Sequence, residues 1–221
     1  MFEIYTYKNS LRFNILLDDS PSPQEIDELI DKIKQNINDI KKDTIMLWYS
    51  QVNGFSNELL DKLEHFNPYH FYKFQIASEN INTEVDMKGL TKRPFTQDMA
   101  DTCIDVLEDV FTPFPDASGS FRNDKERILS EFQNVKLFYK GEELVGFCGH
   151  NDGHFTETVV RKEFQGQGYG EVIVRSTLKS VYESGNDAYL YVGHHNERAI
   201  ALYKKVGFTK VYESKRVNLY G

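Results

Sequence analysis

The most restrictive feature of this sequence is a glycine-rich stretch between an apolar run and an amphipathic segment. Residues 159–170 read VVRKEFQGQGYG, and glycine stands at every second position at the end of this stretch. Glycines lack β-carbons, so the backbone amides there can turn toward a ligand, and a helix start adds partial positive charge. The stretch therefore predicts a strand over 154–160, a phosphate-binding loop, and a helix over 171–184 with its apolar residues at helical spacing.

Several interpretations of the glycine loop can be compared. A P-loop requires lysine and Ser/Thr after its last glycine, whereas Glu171 and Val172 follow Gly170, which excludes it. A dinucleotide-binding loop has G-x-G-x-x-G spacing, and here the third glycine falls one place early. Its acidic partner would be Asp187, which we expect in a turn before the next strand. A third pattern is Gln/Arg-x-x-Gly-x-Gly/Ala, and a turn without a ligand is the remaining interpretation.

Composition narrows the classes of partner. The net charge of −8 over 221 residues, without a basic block, argues against nucleic acid. No apolar run approaches the length of a membrane span, and the amino terminus lacks a secretion-signal pattern. Cys103 and Cys148 are too far apart for a thiol motif or a metal knuckle and suit a reducing compartment. We therefore expect a cytoplasmic protein without a metal site.

The first part of the chain alternates strands and helices. A helix start is marked by Ser22 as N-cap, Pro23 at the first helical position and Glu25 as the capping-box residue. Residues 1–82 are predicted as an N-terminal α/β section, interpreted as a degenerate half of the architecture seen in the last third of the chain. The elements expected are strands at 11–17, 44–49 and 70–77, helices from residue 23 and at 58–66, and a polar linker at 78–88.

The second part, residues 88–221, is predicted to form one domain. Thr96 is expected to cap its first helix, whose Met99, Cys103 and Leu107 lie on one face. A hairpin is expected at 140–143 because glycine and charged residues separate two apolar runs. The remaining elements expected are a helix at 122–132, strands at 135–139, 144–149, 188–192 and 211–219, and a helix at 197–206.

Two motifs together carry a resemblance to a known family. Gln165, Gly168 and Gly170 fit the Gln/Arg-x-x-Gly-x-Gly/Ala pattern, and residues 196–208, NERAIALYKKVGF, fit N-x-x-A-x-x-L-Y-x-x-x-G-F. Residues 88–221 thus resemble the GCN5-related N-acetyltransferases. The resemblance implies an α/β (α+β) fold with a mixed, mostly antiparallel sheet flanked by helices. It also implies that the sheet splays open after the glycine-loop strand, with acetyl-CoA in the gap.

The resemblance assigns roles to individual residues. Tyr203 is the expected general acid, because a phenol is protonated at neutral pH and can donate to a leaving thiolate. Glu157 is the favoured base and His154 the second choice, since both lie on the strand that enters the loop. Asn196 is also expected to cap its helix. The residues expected to bind acetyl-CoA are Thr158, Val159, Val160, Gln165, Gly166, Gln167, Gly168, Tyr169, Gly170, Asn196, Ala199 and Tyr203.

The expected function is acetyl-CoA-dependent N-acetylation of a primary amine by direct transfer in a ternary complex. Acetyl-CoA and an amine-bearing acceptor are the expected partners, without nucleic acid or a membrane. The alternative is a non-catalytic acyl-CoA-binding or regulatory protein of the same fold, and a nicotinamide enzyme fits the glycine spacing poorly. Neither the acceptor nor the oligomeric state is predicted.

Overall fold

The computed structural model describes residues 2–7, 10–16, 24, 27–28, 31, 44–51, 69–111, 121–123 and 125–218. The chain divides into two compact units. The first comprises Met1–Lys73, Tyr191–Asn196 and Lys210–Gly221, and the second comprises Phe74–Leu190 and Glu197–Thr209. This division lies before the predicted linker at 78–88. The interpretation of residues 1–82 as a half-domain stays a prediction.

The first unit contains strands from both ends of the chain. Strand β1 (Phe2–Tyr7) pairs antiparallel with β2 (Ser10–Leu16), which runs parallel to β3 (Thr44–Gln51). Strand β12 (Thr209–Asn218) pairs antiparallel with β3 through its residues from Glu213 onward. A parallel pair needs a long crossover connection, as the sequence between β2 and β3 provides.

Most predicted elements of the first 82 residues can be checked. The strands expected at 11–17, 44–49 and 70–77 are confirmed as β2, β3 and β4 (Tyr69–Ile76), whereas β1 was not predicted. The apolar face of the helix expected from residue 23 lies outside the described residues. Its described polar residues are helical and exposed, and they are Gln24, Asp27, Glu28 and Asp31. The helix expected at 58–66 also lies outside the described residues.

The second unit contains a four-stranded antiparallel sheet in the order β10-β7-β6-β5. Its strands are β5 (Thr91–Pro94), β6 (Lys136–Lys140), β7 (Glu143–Cys148) and β10 (Val159–Val160). The predicted hairpin between β6 and β7 is confirmed, with Gly141 at φ 62° in the turn. A left-handed residue suits glycine because no β-carbon clashes there.

Helix α1 (Ala100–Phe111) packs its apolar stripe into the core of this sheet. Cys103, Ile104 and Leu107 are fully buried and belong to one cluster with Phe147 of β7 and Val159 of β10. This spacing is that of a helix with one apolar face, as predicted. The predicted cap at Thr96 is wrong, since Thr96 precedes a 3₁₀ turn and its side chain makes no capping hydrogen bond.

Two short strands of the second unit pair with each other, and one of them also pairs with the part of a third strand that belongs to this unit. β8 (His150–Asn151) pairs antiparallel with β9 (His154–Phe155), and β9 runs parallel to β11 (Ala188–Gly193). The prediction of a single strand over 154–160 is therefore wrong. This segment contains two strands, since β9 pairs with β8 and β11 whereas β10 pairs with β7.

The other described helices are α2 (Lys125–Ser130), α3 (Tyr169–Glu183) and α4 (Glu197–Lys205). Helix α2 is shorter than the predicted 122–132, because a 3₁₀ turn over Phe132–Asn134 replaces its last part. Helix α3 starts two residues before the prediction, since Gly168 in the left-handed region already serves as its N-cap. None of the described helices combines the length and the apolar character that crossing a membrane would need.

The predicted linker belongs to the second unit. Ser78 N–H donates to Asp187 Oδ1 at 2.8 Å, and Gln75 Nε2 donates to Asp187 Oδ2 at 3.4 Å. Ile81, in the middle of the polar stretch, is only 7% exposed. These contacts hold the segment against the unit, although its composition is polar.

Candidate active site

The site begins where β9 and β10 part. His154 of β9 pairs with Tyr189 of β11, whereas Val160 of β10 pairs with Gly146 of β7. Residues 156–158 join the two strands, so the chain passes from one sheet to the other there. The parting leaves a strand edge whose backbone donors and acceptors can meet a ligand.

Gly146 permits the close approach of β7 to β10. A β-carbon on Gly146 would lie 2.2 Å from the Val159 carbonyl oxygen and 3.0 Å from Val160 Cα. Both obstacles are backbone atoms, which cannot rotate away as a side chain can. A glycine is therefore required beside the strand that leads into the loop.

The glycine loop then opens helix α3. Gly166 has φ 76° and Gly168 has φ 83°, both in the left-handed region that favours glycine. Gly168 is the N-cap of α3, and no side chain caps the helix. The first N–H groups of a helix have no partner within it, so an uncapped start is suited to an anion.

Gln165 holds this loop in place. Its Nε2 donates to the Val160 carbonyl at 2.9 Å, and its Oε1 accepts from Arg198 Nη1 of α4 at 3.1 Å. Its backbone N–H donates to the Lys162 carbonyl at 3.2 Å. The side chain and backbone N–H of Gln165 are thus bonded to the protein itself.

The acidic side chain in the first turn of α3 is neutralised. Glu171 pairs with Lys205 at 2.6 Å and with Arg175 at 3.0 Å. The hydrogen bond from Lys205, followed by that from Arg175, lowers the pKa of Glu171 below its ordinary value. This carboxylate is therefore satisfied by cations and opposes an incoming anion less than a free one would.

Tyr203 lies on the inner face of α4. It is 8% exposed, and its ring packs edge-on against Phe208 at 5.7 Å between centroids. Burial raises the pKa of Tyr203 above its ordinary value, while a hydrogen bond with Thr158 opposes the shift. The phenol is therefore a protonated donor at neutral pH, which is the state a general acid needs.

Thr158 connects Tyr203 to Cys148. Thr158 Oγ1 lies 3.0 Å from Cys148 Sγ at the parting of the strands. Burial raises the pKa of the Cys148 thiol to about 11. Cys148 is therefore a thiol at neutral pH, and a thiol is a poor nucleophile compared with a thiolate.

The two candidate bases have different surroundings. Glu157 is half-buried, and burial, reinforced by Glu131 and opposed by Arg127, raises its pKa. Its charge acts on both Tyr203 and Cys148, so it lies in the same electrostatic environment as the candidate acid. The His154 ring is instead stacked on Tyr189, with centroids 4.8 Å apart and planes 13° from parallel.

Known proteins resemble this chain in sequence and in fold. The family described as FR47-like protein has a model that matches residues 138–217. The mycothiol acetyltransferase of Corynebacterium efficiens is 33% identical over 105 residues, which cover 43% of this chain and 36% of that protein. The match thus spans little more than a third of the length of this relative.

Two solved structures match over most of their length. A GCN5-related N-acetyltransferase from Sphaerobacter thermophilus has a TM-score of 0.66 at 14% identity, covering 100% of this chain and 76% of that one. One from Kribbella flavida has a TM-score of 0.58 at 13% identity, covering 94% and 80%. This chain has the fold of the GCN5-related N-acetyltransferases. The predicted resemblance is confirmed at the level of the fold.

The acetyltransferase fold brings most predicted site residues into the second unit. Val159 and Val160 form β10, the glycines open α3, and Ala199 and Tyr203 lie on α4. Asn196 lies in the first unit, at the residue before α4, where its N–H donates to the Gly193 carbonyl at 3.0 Å. The donor and acid–base assignments of these residues stay predictions.

Three features of this candidate site have no local sequence signal. They are the parting of the strand at 156–158, the side-chain contact of Thr158 with Cys148, and the bond from Arg198 to Gln165 across 33 residues. Each depends on atoms that only the tertiary fold brings together. Asp187, considered above as the acidic partner of a dinucleotide-binding loop, accepts hydrogen bonds from Gln75 and Ser78.

Proposed function

We propose that this chain is an acetyl-CoA-dependent N-acetyltransferase that transfers the acetyl group directly to a primary amine in a ternary complex. The observation that carries the proposal is the parting of β9 and β10 directly before an uncapped, glycine-opened helix. The parted strands offer an edge to an extended arm, and the start of α3 offers amides and a helix dipole to phosphates. Acetyl-CoA has both an extended pantetheine arm and a diphosphate, so it fits these two features.

The donor is proposed to lie along the chain from Thr158 to Gly170. Backbone amides of residues 166–170 hold its diphosphate, and backbone groups of 158–160 bind its pantetheine arm and orient the thioester. Gly170 lets α3 start close to α4 and β10, because a β-carbon there would lie 3.3 Å from Leu202 Cδ2 and 3.7 Å from Val160 Cγ2. When bound, acetyl-CoA supplies an activated acyl group.

The residues of the cluster are proposed to manage the protons. Glu157 accepts the proton from the acceptor ammonium, which frees the nitrogen lone pair to form the new bond to the carbonyl carbon. As the carbon–sulfur bond breaks, Tyr203 donates its phenolic proton to the departing sulfur. The products are an amide and a free thiol. The newly acylated nitrogen loses its second proton to bulk solvent, which also removes the proton on Glu157 and returns one to Tyr203.

Direct transfer is favoured over a covalent acyl-enzyme. Cys148 is the cysteine beside Thr158, and its buried thiol has a pKa of about 11. Double-reciprocal plots of the initial rate against acetyl-CoA concentration, drawn at several amine concentrations, should therefore give intersecting lines. Parallel lines, together with an acetylated Cys148 in the mass spectrum, would contradict direct transfer.

The first test combines binding and turnover. Acetyl-CoA at 100 times its Kd should add about 2.7 kcal/mol to the free energy of unfolding. For a chain of this size that corresponds to a rise in Tm of roughly 5–10 °C. ATP and NADH, as comparison ligands, should not match it.

A panel of amines should then reveal acceptors by release of CoA thiol. Acetyl-CoA binding followed by turnover with at least one amine is the expected result. Binding without turnover on any small amine, amino acid, aminoglycoside or peptide would favour the non-catalytic acyl-CoA-binding alternative. Equal stabilisation by NADH would contradict the proposed donor.

A further inference from the structure

A strained turn before β5 presents a lysine to the glycine loop. Leu90 N–H donates to the Met87 carbonyl at 2.8 Å, which closes a turn with Lys88 and Gly89 at its centre. Lys88 has φ 47° and Gly89 has φ 75°. A turn with two left-handed central residues favours glycine, asparagine or aspartate, so a lysine at the first position costs free energy.

The Lys88 side chain reaches the start of helix α3. A β-carbon on Gly168 would lie 2.6 Å from Lys88 Nζ, which places the ammonium directly over the N-cap residue. Lys88 N–H is fixed by Asp86 Oδ1 at 2.9 Å, and this contact holds the turn. Among the residues that the structure describes, no carboxylate pairs with this ammonium.

The surroundings of the N-cap add to its positive potential. Lys140 Nζ lies 5.6 Å from the centroid of the Tyr169 ring, beside the next residue of the chain. The nearby acids have their own cations: Glu171 pairs with Lys205 and Arg175, and Glu163 pairs with Arg161 at 2.7 Å. One ammonium therefore lies at the N-cap residue and a second lies against the ring of the residue that follows, so an anion at the helix start would be attracted by charge as well as bound by amides.

We propose that Lys88 is a binding residue for the donor, with its ammonium on the diphosphate held by the loop, and that Lys140 adds charge from the neighbouring hairpin. This inference rests on the proposed function, because it takes the loop to be the diphosphate site. The strained left-handed lysine is retained because the turn brings its ammonium to the glycine loop, which has no cation of its own. The loop segment from Gln165 to Gly170 contains no basic residue.

The direct test measures the Kd of CoA by calorimetry for wild type, Lys88→Asn and Lys88→Arg. Asparagine tolerates the left-handed region, so Lys88→Asn should leave Tm without ligand unchanged or raise it. The same variant should bind CoA about 10- to 100-fold more weakly, as expected for loss of a hydrogen bond to a charged group. Lys88→Arg should keep most of the affinity, since it keeps the charge.

Lys179→Gln is the matched control, because Lys179 is an exposed lysine on helix α3, far from the start of that helix. It should bind CoA as wild type does. The difference in the Kd of CoA between wild type and Lys88→Asn should narrow as KCl rises from about 0.05 M to about 0.5 M, since salt screens an exposed ammonium. A difference in Kd that salt does not change would mean that Lys88 acts by shaping the loop, and the inference would be wrong.

Two further ligands separate the possible failures. With 3′-dephospho-CoA, Lys88→Asn should lose the same factor as with CoA, because the diphosphate is present in both. If the loss disappears with 3′-dephospho-CoA, Lys88 contacts the 3′-phosphate and the inference is overturned. Tight binding of CoA by both wild type and Lys88→Asn also overturns it while leaving the proposed function intact. Failure of wild type to bind CoA overturns both.

Discussion

The two ends of the candidate site use different parts of the polypeptide. The proposed phosphate end, from Gly166 to Gly170, offers backbone amides in a loop whose glycines remove side chains. The proposed acyl end offers side chains instead, with Thr158, Cys148 and Tyr203 packed together. The first end is open and flanked by cations, whereas Tyr203 and Cys148 at the second are buried.

This difference separates binding from chemistry. Contacts to a diphosphate are the same before and during acyl transfer, so they lower the concentration of donor that is needed without accelerating the step. The proposed acid Tyr203 and base Glu157 would meet charges that develop only as the thioester breaks, so they would act on kcat. Changes at the two ends should therefore alter different kinetic constants, and the following predictions test this separation in order of expected effect.

The largest effect is expected at Tyr203. Tyr203→Phe removes one oxygen and should lower kcat by about 10²–10⁴-fold, because the departing sulfur loses its proton donor. The Kd for acetyl-CoA should stay within about twofold of wild type. Tyr182→Phe is the matched control, since Tyr182 is 49% exposed on α3. If Tyr203→Phe had the same kcat as Tyr182→Phe, Tyr203 would not be the general acid.

Glu157 is expected to set the acidic limb of the pH profile. The base works when deprotonated, and its pKa is raised, so kcat/KM should fall with decreasing pH at values above 4.5. Glu157→Gln should lower kcat by about 10²-fold and abolish this limb. The exposed Glu183→Gln should retain both activity and limb. If the limb persists in Glu157→Gln, another group such as His154 is the base.

Gly146→Ala should damage both ends at once. The new β-carbon meets the Val159 carbonyl oxygen at 2.2 Å, so β7 and β10 must move apart. We expect a loss of about 1–3 kcal/mol in the free energy of unfolding, as for other overpacked sites. Denaturant unfolding measures the stability, and both acetyl-CoA affinity and kcat should fall. An unchanged midpoint would show that this pairing is not close-packed.

The smallest effect is expected for Gly168→Ala. A left-handed alanine costs about 1 kcal/mol or more, and its β-carbon displaces the Lys88 ammonium. Acetyl-CoA should bind about tenfold more weakly, while kcat at saturating donor changes little. Gly185→Ala is matched for strain, since Gly185 has φ 75° near the other end of α3 with open space around it. It should lose similar stability and retain donor affinity.

The same contrast explains which features could be predicted from sequence. The glycine loop, helix α3 and the α4 signature are encoded within short segments, so spacing alone indicated them. The break at 156–158 was missed, because an apolar run does not reveal that its halves pair with β11 and β7. Lys88 was missed for a similar reason, since it lies 80 residues from Gly168 and nothing local marks it.

The short polar stretch at 78–88 teaches the same lesson. Its composition indicated a linker, yet Asp187 holds Ser78 and the side chain of Ile81 is buried in the second unit. A contact with a residue more than a hundred positions away in the sequence holds this stretch in place. Local spacing therefore predicted the glycine loop and helix α3, whereas the roles of Thr158 and Tyr203 were expected only through the resemblance to a family.

The central claim is that one chain segment binds the donor while a separate side-chain cluster performs the chemistry. It is tested most directly by calorimetric Kd values for acetyl-CoA with wild type, Gly168→Ala and Tyr203→Phe. The account predicts that wild type and Tyr203→Phe bind alike and that Gly168→Ala binds about tenfold more weakly. Equal loss of affinity in both variants, or no acetyl-CoA binding by wild type, would contradict it.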